Sequence, residues 1–195
     1  MKQGLTDIVV VLDRSGSMSS IRQDMEGGFD TFVAEQRKLP GEAHVTLAQF
    51  DSQYDIVYEG KSLAEVPPLV LVPRDMTALY DAVGRTIEAT GRRLAALPDE
   101  ERPERVLFVV ITDGGENASK DFTGARVAEM VKHQTEKYNW QFVYIGANQD
   151  AIANAAAMNI SVASNFVANA AGTSDMFGGV VRGVTSYRSG GGYQQ

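Results

Sequence analysis

Two stretches of this chain are apolar without interruption. Ile8-Val9-Val10-Val11-Leu12 and Val106-Leu107-Phe108-Val109-Val110-Ile111 lack the alternation of a half-exposed strand, so each predicts a strand buried on both faces. The first runs into the polar segment Asp13-Arg14-Ser15-Gly16-Ser17-Met18-Ser19-Ser20, the second into Thr112-Asp113-Gly114-Gly115. Between them the period changes. Ile21, Met25, Phe29, Phe32 and Val33 recur at helical spacing, and the helix they predict stops near Leu39, ahead of Pro40-Gly41. Val45, Leu47 and Phe50 mark a strand over 43–50, and Asp51-Ser52-Gln53 reads as a tight turn into a partner strand over 54–58. Residues 60–74 predict a proline-bearing loop with a helical turn near 63–66. Residues 77–97 predict a helix with Leu79, Val83, Ile87 and Leu94 on one face, followed by a charged connection over 98–104.

Past the second apolar run the expected elements are a helix over 123–138, a strand over 141–145, an alanine-rich helix over 150–158, a short strand over 161–166 and a helix over 174–187. Strands alternating with helices imply an α/β, Rossmann-like open sandwich, with a mostly parallel central sheet and helices on both faces. The hairpin adds one antiparallel strand at an edge. No internal repeat or linker interrupts the pattern, so a single domain over 1–188 is expected, with the glycine-rich 189–195 as a flexible tail.

Composition narrows the chemistry. A formal charge of -7 and a sequence pI near 4.9 argue against broad binding to nucleic acid or anionic lipid. The absence of cysteine excludes disulfides, thiolate metal sites and cysteine nucleophiles, and two histidines, His44 and His133, make a histidine-rich zinc site a poor reading. The first apolar run is too short for a signal-peptide core or a membrane span, so the expectation is a cytoplasmic protein.

In open α/β sheets, ligands gather outside the carboxyl ends of the strands, and both apolar strands end there in an aspartate. Asp13, Ser15 and Ser17 occupy alternate positions, which in extended chain aims three oxygen-bearing side chains the same way. Gly16 between the serines permits backbone conformations that other residues avoid. An oxygen-only set suits Mg²⁺, Mn²⁺ or Ca²⁺ rather than a soft metal.

Asp13-Arg14-Ser15-Gly16-Ser17 resembles the Asp-x-Ser-x-Ser signature of the metal-ion-dependent adhesion site of von Willebrand factor A domains. Thr77, after Arg74-Asp75-Met76 and at the start of the predicted helix, matches the family's threonine in a later loop. Asp113, ending Val110-Ile111-Thr112-Asp113-Gly114, matches its aspartate at the end of a central strand. The resemblance implies that Ser15 and Ser17 contact one divalent cation directly, Thr77 directly or through water, and Asp13 and Asp113 through waters and hydrogen bonds. It also implies a protein partner whose acidic side chain completes the coordination, with no catalysis. A stand-alone domain of this kind resembles bacterial or phage intracellular members that act as scaffolds in larger assemblies.

Each residue alone has a plainer reading. Asp13 and Asp113 suit strand-ending turns, Ser17, Ser19 or Ser20 could cap the next helix, and Asp75 or Thr77 could cap a later one. Independent capping does not predict the ordered set of five. The alternative with a different chemistry is a Mg²⁺-dependent phosphohydrolase of the haloacid dehalogenase type, which also begins with a strand-end aspartate. Such enzymes have a second aspartate where this chain has Ser15. Glu116 is the nearest candidate for a general base.

Overall fold

The computed structural model describes residues 1–147 and 151–193. Its centre is the strand β1 (Lys2–Asp13), with β2 (Glu42–Phe50) and β4 (Pro103–Thr112) paired parallel on either side. The hairpin partner β3 (Tyr54–Ser62) closes one edge antiparallel to β2, and β5 (Gln141–Gly146) and β6 (Val162–Asn165) extend the other edge in parallel. The order β3-β2-β1-β4-β5-β6 confirms the mostly parallel sheet with one antiparallel edge strand.

The doubly buried strands explain the two apolar runs. Ile8, Val10 and Leu12 of β1 and Leu107, Val109 and Ile111 of β4 face one layer, made by α1 (Arg22–Arg37) and α5 (Ala170–Arg188). Val9, Val11, Phe108 and Val110 face the other, made by α2 (Leu79–Ala96), α3 (Gly124–Tyr138) and α4 (Ala151–Ala157). Alternation assigns each side chain its layer, so a one-residue slip would put Asp13 and Thr112 on the wrong face. The chain passes from β1 through α1 to β2 on one side, and β4 lies on the other. The carboxyl ends of β1 and β4 therefore flank the crevice where strand order reverses.

Several boundaries differ from the sequence pattern. β1 begins at Lys2 rather than Ile8, because Leu5 and Thr6 are already buried and paired with β2 or β4. β3 runs on to Ser62, and β4 takes in Pro103 and Glu104 from the expected connection. A 3-10 turn over Gly16–Ile21 precedes α1, and neither it nor α1 has a side-chain cap. Ser19 and Ser20 instead donate back to the carbonyls of Gly16 and Ser17. α5 starts four residues earlier than expected, capped by Asn169, whose Oδ1 accepts from Gly172 N at 2.8 Å. The expected start of α4 at Asp150 lies outside the described residues.

Tyr193 is buried with the α1/α5 layer. A Cβ on Gly183 would meet the Tyr193 ring at 2.5 Å, so that glycine leaves the space the ring fills. Among the described residues no helix is long and apolar enough to cross a membrane.

Candidate metal centre

Asp13 is the last residue of β1 and has no exposure to solvent. One register step beyond the Leu12–Ile111 pairing lies Thr112, and its Oγ1 donates to Asp13 Oδ2 at 2.5 Å. Asp13 Oδ1 accepts from Ser15 N at 2.6 Å, which bends the chain so that the next two polar side chains turn together. Ser15 Oγ and Ser17 Oγ lie 3.2 Å apart, and Ser17 Oγ donates to Asp113 Oδ1 at 2.6 Å. Four of the five expected residues are thus joined directly or through one neighbour.

Thr77 joins them from the loop ahead of α2. A Cβ built on Gly114 would lie 3.2 Å from Thr77 Oγ1, 3.8 Å from Asp13 Oδ2 and 3.9 Å from Ser17 Oγ. All three oxygens therefore face one small volume beside that glycine, and a side chain at position 114 would enter it. Asp13, Ser15 and Thr77 form a buried floor, Asp113 is 9% exposed, and Ser17 opens to solvent. The cluster is therefore open to solvent on the Ser17 side.

Thr77 does not open the helix. α2 begins at Leu79 with Ala78 in the cap position and without a side-chain cap from its own loop. Asp75, the other candidate cap, instead takes a left-handed backbone with φ 64 and accepts from Ser52 Oγ and from Met76 N. The helix start is satisfied from the β4–α3 loop. Glu116 Oε2 accepts from Tyr80 N at 2.9 Å, and Ser119 Oγ accepts from Asp81 N at 3.0 Å. In return the Asp81 carboxylate accepts from Lys120 N, Asp121 N and Phe122 N, all at 2.8–2.9 Å. Asn117 Oδ1 accepts from Thr77 N, while Asn117 N donates to Thr77 O. The loops carrying Thr77 and Asp113 are therefore laced to each other.

The same lacing engages Glu116, the nearest candidate base. Glu116 also accepts from Ala118 N, Ser119 N and Ser119 Oγ, so its carboxylate organises the loop and the start of α2. None of these partners belongs to the five-residue set. His44 is half-buried on β2 and His133 exposed on α3, apart from the site.

Burial pushes the Asp13 carboxyl up to about 6, offset in part by the hydrogen bonds from Thr112 and Ser15 and reinforced by the nearby Asp113. Asp113 is raised as well, again chiefly by burial. The hydrogen bonds to Asp13 come from Thr112 and Ser15, whereas Arg14 turns its guanidinium away to Asp51 and Asp55. Two acidic groups raised by burial, beside three hydroxyls, form a site whose charge a divalent cation would compensate. Among the described residues no three histidine, aspartate or glutamate side chains gather as a metal site.

A pH dependence follows. The fold holds the Asp13 proton more tightly than the unfolded chain does. Stability from this group is thus present below the ordinary carboxylate value and is lost as pH rises through about 6. In EDTA, acidifying from pH 7 towards pH 4.5 is expected to recover about 2 kcal/mol from Asp13, measured as the difference between wild type and Asp13→Asn in urea unfolding. Saturating Mg²⁺ is expected to reverse the slope, because the cation competes with the proton. Equal pH slopes for the two chains in EDTA would refute this.

No protein-family profile matches the chain, and no curated protein does. Solved structures do resemble it. A von Willebrand factor type A protein from Catenulispora acidiphila superposes with a TM-score of 0.59 at 18% identity, over 93% of this chain and 43% of that one. The ArnB paralog VWA2 from Sulfolobus acidocaldarius gives 0.59 at 18%, over 91% and 44%. Proximal thread matrix protein 1 from the mussel byssus, in a structure with a zinc-occupied MIDAS motif, gives 0.58 at 20%, over 92% and 46%. The chain spans less than half the length of these three proteins. The fold is that of von Willebrand factor A domains.

Proposed function

We propose that this chain is a divalent-metal-dependent protein-binding module. Ser15, Ser17 and Thr77 would hold one Mg²⁺, with Mn²⁺ or Ca²⁺ as substitutes, and Asp13 and Asp113 would orient the hydroxyls and balance the charge. The observation that carries this reading is the hydrogen bond from Ser17 Oγ to Asp113, in a cluster where oxygens of Thr77, Asp13 and Ser17 lie together beside Gly114. A hydroxyl whose proton is taken by a carboxylate presents its lone pairs to a cation. The zinc-occupied motif of the byssus protein supports the same use of this fold.

With mostly neutral direct donors, the cation would stay electrophilic towards a further oxygen ligand. A glutamate or aspartate from a partner protein supplies that oxygen, and Ser17 marks the solvent-facing side from which it would come. A scaffold in a cytoplasmic assembly is the setting this suits. Catalysis is not required. The phosphohydrolase alternative needs a second acid where Ser15 stands, and Glu116 is committed to Tyr80, Ala118 and Ser119.

The test is capture of a partner on the immobilised chain in Mg²⁺ and in EDTA. Retention in Mg²⁺, release by EDTA and loss in Ser17→Ala are expected. Equal retention in both buffers would sink the metal-bridged mode. Turnover of a simple phosphomonoester, abolished by Asp13→Asn, would favour the phosphohydrolase instead.

A further inference from the structure

Three segments meet behind the metal site: the β1–α1 loop with Ser15 and Ser17, the loop with Thr77, and the β2–β3 turn. The turn supplies none of the five oxygens, yet its first residue binds both of the other segments. Asp51 has no exposure to solvent. Its Oδ2 accepts from Arg14 Nε at 2.8 Å and from Arg74 Nε at 2.7 Å, while Oδ1 accepts from Gln53 N at 2.5 Å. Its carbonyl accepts from Ala78 N at 2.9 Å.

These contacts bracket the metal residues. Arg14 lies immediately before Ser15, and Arg74 and Ala78 lie on either side of Thr77. Main-chain bonds tighten the bracket: Arg14 N donates to Phe50 O, Arg74 N to Arg14 O, and Gly16 N to Asp75 O. The loops carrying Ser15 and Thr77 are therefore held together by direct main-chain bonds and, beside them, through one buried carboxylate. That carboxylate also compensates a charge. Arg14 has a side chain only 9% exposed, one residue from two proposed metal positions. A guanidinium there would repel a divalent cation if Asp51 and Asp55 did not hold and balance it.

We propose that Asp51 is a positioning residue for the metal site, clamping the Asp13–Ser17 loop to the Thr77 loop through Arg14, Arg74 and the amide of Ala78. The role rests on the metal reading above. A buried ion pair is a poor source of net stability but a good means of fixing one arrangement, and that is the use assigned to it here. Residues that orient direct ligands typically change metal affinity by about 10–100-fold when replaced.

The experiment is a Mg²⁺ titration of the full chain as wild type, Asp51→Asn, Thr77→Ala and the double variant. Asp51→Asn is expected to weaken Mg²⁺ by about 10–100-fold alone, and by a few-fold at most when Thr77 is already alanine. Equal weakening in both backgrounds would overturn the proposal, as would unchanged affinity in Asp51→Asn. Arg74→Gln, which cuts one half-exposed arm of the clamp, guards against misfolding of the first variant. It is expected to weaken Mg²⁺ several-fold with the same coupling to Thr77.

Amide exchange in EDTA separates the clamp from the metal reading. Faster exchange at Gly16, Arg74 and Ala78 in Asp51→Asn, with the β1 and β4 amides unchanged, supports the clamp, and unchanged exchange at those three overturns it. A wild-type chain with no Mg²⁺ response would overturn the metal reading and the metal role of Asp51 with it, leaving exchange to decide the clamp as a structural device.

Discussion

Asp13→Asn is expected to bind Mg²⁺ at least about 100-fold more weakly than wild type and yet to unfold at a higher temperature in EDTA. The two effects have one cause. The wild-type carboxylate is buried, its hydrogen bonds come from Thr112 and Ser15 rather than from a basic side chain, and burial raises its pKa to about 6. At pH 7.5 the metal-free fold therefore bears most of the cost of a buried charge. Asparagine keeps the shape and removes the charge. Its carbonyl can still accept from Ser15 N, and its amide can donate to Thr112 Oγ1, which is then free to donate to Gly114 O, already 3.0 Å away. A gain of about 2 kcal/mol corresponds to roughly 4–8 °C for a chain of this size. Calorimetry in EDTA and in Mg²⁺ checks both halves. The wild type is expected to rise in Mg²⁺ and the variant not to. A variant that is less stable in EDTA would show that the carboxylate's hydrogen bonds outweigh its burial.

Asp81→Ala is expected to cost about 3–5 kcal/mol, the largest loss from a single side chain outside the apolar layers. Asp81 is buried and accepts three backbone amides from the β4–α3 loop, and truncation strands all three donors. Each stranded donor costs about 1–3 kcal/mol where water cannot replace the acceptor, and partial access to water keeps the sum below the simple total. The loss compares with a typical domain stability of about 5–15 kcal/mol. Metal affinity is expected to fall as well, because Asp81, Glu116 and Asn117 together hold the Thr77 and Asp113 loops against one another. Urea unfolding measures the first effect, and a loss below about 1 kcal/mol would mean that the loop holds its shape without Asp81.

The parts of this fold that were legible in the chain are those dictated by local periodicity. Unbroken apolar runs this short and this rich in β-branched residues read as strands covered on both faces, so β1 and β4 and their layers followed from Ile8–Leu12 and Val106–Ile111. The convergence of Asp13 with Asp113 followed from the strand ends, and Thr77 entered through the resemblance. Structure made by distant residues stayed hidden. α2 begins after Thr77 because its caps, Glu116 and Ser119, come from a loop almost forty residues away, and no pattern near Thr77 signals them. Glu116 looked available as a base for the same reason. The Asp51 clamp was invisible because Asp51-Ser52-Gln53 is also an ordinary turn sequence. Nor does any local pattern signal that the Tyr193 ring fills the gap left by Gly183, ten residues back.

The most direct measurement is a calorimetric titration of the metal-stripped chain with Mg²⁺, alongside Ser15→Ala and Asp113→Ala. One site per chain is predicted, lost in both variants while their circular dichroism stays that of the wild type. No binding by the wild type up to about 10 mM, beyond the weakest range typical of extracellular Ca²⁺ modules, or full binding by either variant, would contradict a cation held by these five oxygens.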